Sequence, residues 1–118
     1  MSTEDTKAIL DHHQAALDAG DLDDLLSDYT EDSVFISNLS GPVKGLEGIR
    51  GIFAATTGGM PGFELLGEHV DGDVAFIWWK AENLPVGTDT FVIRDGKIAE
   101  WRRVGSGGGG GQAPGQSV

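Results

Sequence analysis

An aspartate stands inside the run Thr88-Asp89-Thr90-Phe91-Val92-Ile93, among β-branched and aromatic residues that favour a strand, where aspartate is depleted. If the strand buries it, desolvation disfavours the charged carboxylate and raises its pKa. The result is an acid that can hold its proton at neutral pH and donate it to a developing oxyanion. On a solvated strand face the same residue has no chemistry. His13 lies on an amphipathic stretch, where its imidazole can donate to a carbonyl or carry a proton near neutral pH. The plain alternative is a half-buried helix histidine without a role. His12 points about 100° away around a helix, so the two histidines do not form a shared ligand site. With three histidines and no cysteine, neither a metal site nor a thiolate or disulfide is expected, and no cofactor is called for.

These residues need elements to position them. Ser2 or Thr3 can cap a first helix that ends at Gly20, with Ile9, His13, Ala16 and Leu17 on one face. A short second helix carries Leu22, Leu25, Leu26 and Tyr29, and Val34-Phe35-Ile36 reads as a strand. Pro42 and Gly45 break the chain. Leu46, Ile49, Ile52 and Phe53 then make a third amphipathic helix, in which Gly48 and Gly51 cost helix propensity but permit a close approach. Four β-rich runs follow: Phe63–Val70, Val74–Asn83, Thr88–Arg94 and Lys97–Val104. Asp95-Gly96 between two of them is a strong hairpin signal. The order predicts an α+β domain with three N-terminal helices on one face of a curved, mostly antiparallel sheet. Trp78 and Trp79 must point to opposite faces. One lines the inside, and the other sits on the outer face, where it suggests a homodimer contact.

The chain has 118 residues with 19 acidic and 8 basic side chains, a net charge of −11. That is enough for one domain with a core of its own. An acidic surface without a basic stripe excludes nucleic acid and an anionic membrane as partners. The longest apolar run, Val74 to Trp79, is far below the roughly 20 residues that span a bilayer, and the start of the chain lacks an apolar signal core. A cytoplasmic location is expected. Residues 1–104 hold the domain. Residues 105–118 have no charged residue and seven of the 19 glycines, and they read as a flexible tail or linker.

Three segments carry a resemblance to a known family: LDAGDLDDLLSDYTEDSV from Leu17 to Val34, KGLEGIRGIF from Lys44 to Phe53, and TDTFVIRDGKIAEW from Thr88 to Trp101. Together they resemble the nuclear transport factor 2-like superfamily in its SnoaL-like, ketosteroid isomerase-like branch. The resemblance implies a cystatin-like α+β barrel in which the helices and the concave face of the sheet enclose a conical pocket. Members include ketosteroid isomerases, polyketide cyclases, dehydratases, epoxide hydrolases and non-catalytic binding domains, so function must come from the pocket.

By the same resemblance, Asp89 matches the strand carboxyl that ketosteroid isomerases keep protonated, and His13 falls near the pocket tyrosine of the first helix. The general base is missing: its position holds Ser37 or Asn38, which can hydrogen-bond a ligand or serve a turn but are not bases near neutral pH. Trp101-Arg102-Arg103 places an arginine where epoxide hydrolases of this fold carry an acid, and Lys80-Ala81-Glu82 lacks their second carboxylate. Trp101 and Arg103 are implied to face the pocket with Phe35. Arg103 then either pairs with Asp89, keeping it ionised, or binds an anionic group of the substrate. The resulting expectation is a cofactor-free acid–base isomerase, cyclase or dehydratase acting on an apolar carbonyl or hydroxyl compound. Asp89 and His13 would be catalytic, and Ser37, Asn38, Phe35, Trp101 and Arg103 would hold the ligand. The alternative is a non-catalytic ligand-binding or dimerisation module of the same fold.

Overall fold

The computed structural model describes residues 2–38, 40–55, 61–82 and 84–106. Helix α1 spans Thr3–Ala19 and α2 spans Leu22–Leu26. Strands β1 (Val34–Ser37) and β2 (Gly41–Lys44) precede α3 (Leu46–Ala55). Strands β3 (Glu64–Asp71), β4 (Val74–Ala81), β5 (Leu84–Arg94) and β6 (Lys97–Ser106) complete the order. They form one six-stranded sheet ordered β2-β1-β6-β5-β4-β3. Every neighbouring pair is antiparallel except β1 with β6. This is the expected α+β architecture. Among the described residues no helix is long and apolar enough to cross a membrane.

Helix α1 begins where the Ser2 hydroxyl accepts from Asp5 N–H at 3.0 Å, and acidic Glu4 and Asp5 face the positive end of the helix. It ends at Gly20, whose backbone is left-handed. Thr6, Leu10, His13 and Ala16 are its buried residues. Thr6 Oγ1 donates to Gly72 O at 2.6 Å, and Thr3 Oγ1 accepts from Gly72 N–H at 3.0 Å, pinning the helix to the β3–β4 turn.

Four differences from the sequence reading bear on the site. Helix α2 ends at Leu26, so Tyr29, expected on that helix, lies in the segment after it. Strand β2 was not expected, because Gly41-Pro42 reads as a breaker. It lies at the sheet edge, where a proline without an N–H costs no ladder bond. Strand β5 starts at Leu84, so Leu84-Pro85-Val86-Gly87 is strand rather than turn. Strand β6 runs to Ser106, two residues past the expected domain end at 104; residues 107–118, and Asn83, lie outside the described residues. The close approach expected of the α3 glycines occurs at Gly48, where a Cβ would stand 2.6 Å from Val43 Cγ1.

The β5–β6 hairpin turns on Asp95 and Gly96, both at positive φ. Ile93 pairs with Ile98, but Val92 pairs with Glu100, so Ala99 is the extra residue of a β-bulge. The bulge decides which side chains of β6 face inward. Without it Asp89 would lie opposite Arg102; with it Asp89 lies opposite Arg103 and Phe91 opposite Trp101. The inner face therefore carries Phe35, Ile77, Trp79, Phe91, Ile93, Ile98 and Trp101, all at most 3% exposed. Trp78 is half-buried on the outer face beside Phe76 and His69, as strand alternation requires.

Candidate functional site

Asp89 is 3% exposed. Its carboxylate accepts from Arg103 Nε at 2.7 Å, from Arg103 Nη2 at 3.0 Å and from Trp79 Nε1 at 3.2 Å. The guanidinium is sandwiched between two indoles, 5.0 Å from the Trp79 ring centre and 5.1 Å from that of Trp101. Of the two roles left open for Arg103, the structure forms the pair with Asp89. The protonated-donor reading of Asp89 is corrected accordingly: a carboxyl that receives three N–H donors, two from a cation, is an acceptor. Trp79, the one of the two neighbouring tryptophans that lines the inside, helps hold it. The indole fits because residue 87 is glycine; a Cβ there would stand 2.4 Å from two of the ring carbons.

His13 is 1% exposed and lies among the rings of Tyr29, Phe53, Phe91 and Trp101, with ring centres 5.8, 5.6, 5.1 and 6.4 Å away. Its Nε2 lies 2.8 Å from the Tyr29 hydroxyl. The hydrogen-bond partner of His13 among the described residues is thus Tyr29. Burial, helped by the positive charge of Arg103, lowers the imidazole pKa to about 3. Burial also pushes the Tyr29 phenol well above its ordinary value, with the Asp89 and Asp28 charges adding to the effect. Both groups are neutral at neutral pH. Among the described residues, His13 Nδ1 and Trp101 Nε1 have no hydrogen-bond partner. Tyr29, the chain's single tyrosine, is a partner of His13 that sequence reasoning missed; it lies three residues past the end of α2.

His12 points away from His13 and has partners of its own. Its Nδ1 lies 2.7 Å from Asp28 Oδ2 and its Nε2 lies 3.0 Å from Asp24 Oδ1. These bonds, Asp28 first, raise its pKa. Burial raises that of Asp28 against the opposing pull of His12. Thus His12–Asp28 and His13–Tyr29 tie the same turn of α1 to the chain segment after α2.

Ser37 and Asn38 make hydrogen bonds at a turn and at a strand end. Ser37 Oγ accepts from Ser40 N–H at 2.9 Å and lies 3.0 Å from Ser40 Oγ, closing the β1–β2 turn. Asn38 Nδ2 donates to Gly105 O at 3.0 Å, and its Oδ1 accepts from Gly105 N–H at 3.1 Å. It imitates a strand partner for the end of β6. Phe35 and Trp101 are where they were expected, their ring centres 4.1 Å apart on the inner face. Among the described residues no group of three His, Asp or Glu side chains is arranged to hold a metal ion.

Similar solved structures share this frame at low identity. An NTF2-like protein of unknown function from Mesorhizobium loti is 22% identical, with a TM-score of 0.77 over 89% of this chain and 93% of its own. A candidate polyketide cyclase from Sinorhizobium meliloti is 24% identical, with a TM-score of 0.70 over 87% and 99%. A candidate ketosteroid isomerase from Kribbella flavida is 14% identical, with a TM-score of 0.71 over 98% and 87%. These likenesses establish the fold. No curated protein matches. The SnoaL-like domain matches residues 10–101, the span from mid-α1 to the inward Trp101, and the chain belongs to that family.

Proposed function

We propose that the chain binds a small apolar carbonyl or hydroxyl compound against its aromatic inner face and rearranges it by cofactor-free acid–base chemistry: isomerisation, aldol-type cyclisation or dehydration. The supporting observation is the pair of orphan polar groups. Buried polar atoms are nearly always hydrogen-bonded, and leaving one unmade costs about 1–3 kcal/mol. Among the described residues His13 Nδ1 and Trp101 Nε1 lack partners while lying among aromatic rings, which suits a ligand that is apolar over most of its area and polar at one end. Donors aimed at a carbonyl oxygen acidify the adjacent C–H, and Asp89, paired with Arg103 on the same face, is the carboxyl group that would take and return that proton.

A second reading, a binding module without catalysis, is favoured by the three donors that occupy Asp89 and by the turn duties of Ser37 and Asn38. A screen of small ketones and hydroxy compounds, read by intrinsic tryptophan fluorescence and by turnover, separates the two. Asp89→Asn should lower kcat by about 10²-fold on any substrate found if the carboxylate moves a proton. Binding with no turnover, or turnover indifferent to Asp89→Asn, selects the binding module. We also propose a homodimer through the outer sheet face, where Ile36, Val74 and Val104 are exposed around half-buried Phe76 and Trp78.

A further inference from the structure

His12 holds a carboxylate against each ring nitrogen. Its Nδ1 lies 2.7 Å from Asp28 Oδ2, and its Nε2 lies 3.0 Å from Asp24 Oδ1. A neutral imidazole has one N–H and one lone pair, and an ionised carboxylate only accepts. With a single proton among the three groups, one nitrogen would turn its lone pair on a carboxylate oxygen. Both contacts are hydrogen bonds only when the three groups share two protons, either both on the ring or one on the ring and one on a carboxyl. Two further groups bear on this balance. Lys97, at the start of β6, acts on Asp28 by its positive charge, and His13, the next residue of α1, is neutral at neutral pH.

When one of the two protons leaves, one contact must break, and the two are unequal. The Asp28 side chain is 12% exposed and that of Asp24 is 49% exposed. The segment of Asp28 is also pinned to β6: Asp28 O accepts from Ile98 N–H at 2.7 Å, and Ser27 O accepts from Lys97 Nζ at 2.7 Å. Water replaces a lost partner at the half-exposed Asp24 more cheaply than at Asp28. The last ring proton therefore stays on Nδ1, and the contact with Asp24 breaks. Asp24 belongs to α2, a helix of five residues, too short to hold by itself, which buries Leu25 and Leu26. Its Asp23 meets Arg50 of α3 in an exposed ion pair. We infer that His12 Nε2 and Asp24 form a pH-operated clamp, closed in acid and open in base, that sets how often α2 lifts from α1 and uncovers those two leucines. Its hold is complete below 6.5 and is lost as pH rises through the folded pKa of His12, which lies above that value. The clamp works with or without a ligand in the interior.

The test follows the full chain by nitrogen-15 NMR across the His12 titration. In base the remaining proton of His12 should sit on Nδ1, with Nε2 bare. Hydrogen exchange of the amides at α2 should be read in parallel, corrected for the intrinsic rise of exchange with pH. These include Leu25 N–H, bonded to Asp21 O at 2.9 Å, and Asp28 N–H, bonded to Leu25 O at 3.2 Å. Their protection should fall about fivefold as His12 loses its proton, the size of effect expected for one half-exposed charged hydrogen bond. Asp24→Asn changes a half-exposed side chain to an amide, which accepts from Nε2–H or donates to bare Nε2. The clamp then stays closed in both states, and the protection should lose its pH dependence. Three results would each overturn the clamp. They are a proton on Nε2 in base, α2 protection that ignores the His12 titration, and an Asp24→Asn variant that keeps the wild-type pH dependence.

Discussion

Neighbouring histidines on α1 place opposite demands on pH. The folded pKa of His12 lies above its ordinary 6.5, so its stabilising contribution is complete below that value and is lost as pH rises through the folded pKa. That of His13 is depressed to about 3, so its contribution is complete above 6.5 and is lost as pH falls toward 3. The loss on the acid side is on the order of 4–5 kcal/mol, since each pKa unit is worth about 1.4 kcal/mol. Urea midpoints measured across the pH range should therefore peak near neutrality. His13→Phe should flatten the acid limb, and His12→Ala should flatten the alkaline one. The Asp89–Arg103 pair makes a second prediction. Arg103→Ala leaves a buried carboxylate without its cation and should cost about 3 kcal/mol in urea unfolding, whereas the double variant Asp89→Leu/Arg103→Met should recover most of it. Asp89 was legible in the sequence because an acid inside a β-branched run is anomalous. Whether it was neutral or paired was not legible, because that depends on which arginine faces it across the hairpin, and the Ala99 bulge decides this.

At the level of elements, that bulge and one glycine set the site. Deleting Ala99 would take out only the extra residue of the bulge and leave Phe91 opposite Trp101 and Asp89 opposite Arg103. The deletion variant should keep the near-ultraviolet circular dichroism of its packed indoles. Gly87→Ala has a different outcome. The added methyl displaces the Trp79 indole from Asp89 and should cost about 1–3 kcal/mol, with a shift in tryptophan emission. The helices and most strands were readable because their apolar periods are regular and their caps and turns use the expected residues. What was not readable depended on context. Pro42 is tolerated because its strand is an edge, and Pro85 lies within β5 rather than in a turn. The candidate ligand residues divided in the same way. Phe35 and Trp101 follow from strand alternation once the bulge is counted, whereas Ser37 and Asn38 were claimed by a turn and a strand end that no local pattern announces.

For the whole molecule, the outer sheet face leads to a prediction of association. Sedimentation at micromolar concentration should give twice the mass of one chain. Val104→Glu, at a 54% exposed position, should shift the protein to monomer without lowering its urea midpoint; a wild-type monomer at that concentration excludes the homodimer. The one parallel pairing in the sheet has a different consequence, which concerns the order of events during folding. Strand β1 finds its central partner in β6, with Val34 beside Glu100, so these contacts join residues far apart in the chain. Ile98 N–H reaches back to Asp28 O at 2.7 Å, and the Ser33 hydroxyl to Ile98 O at 2.6 Å. During synthesis the segment from α2 to α3 therefore waits, its apolar side uncovered, until the last strand has left the ribosome. Loop closure of this length slows the final step. Substitutions on the inner side of β1 should show up mainly in the unfolding rate, and those in the β4–β5 hairpin mainly in the folding rate.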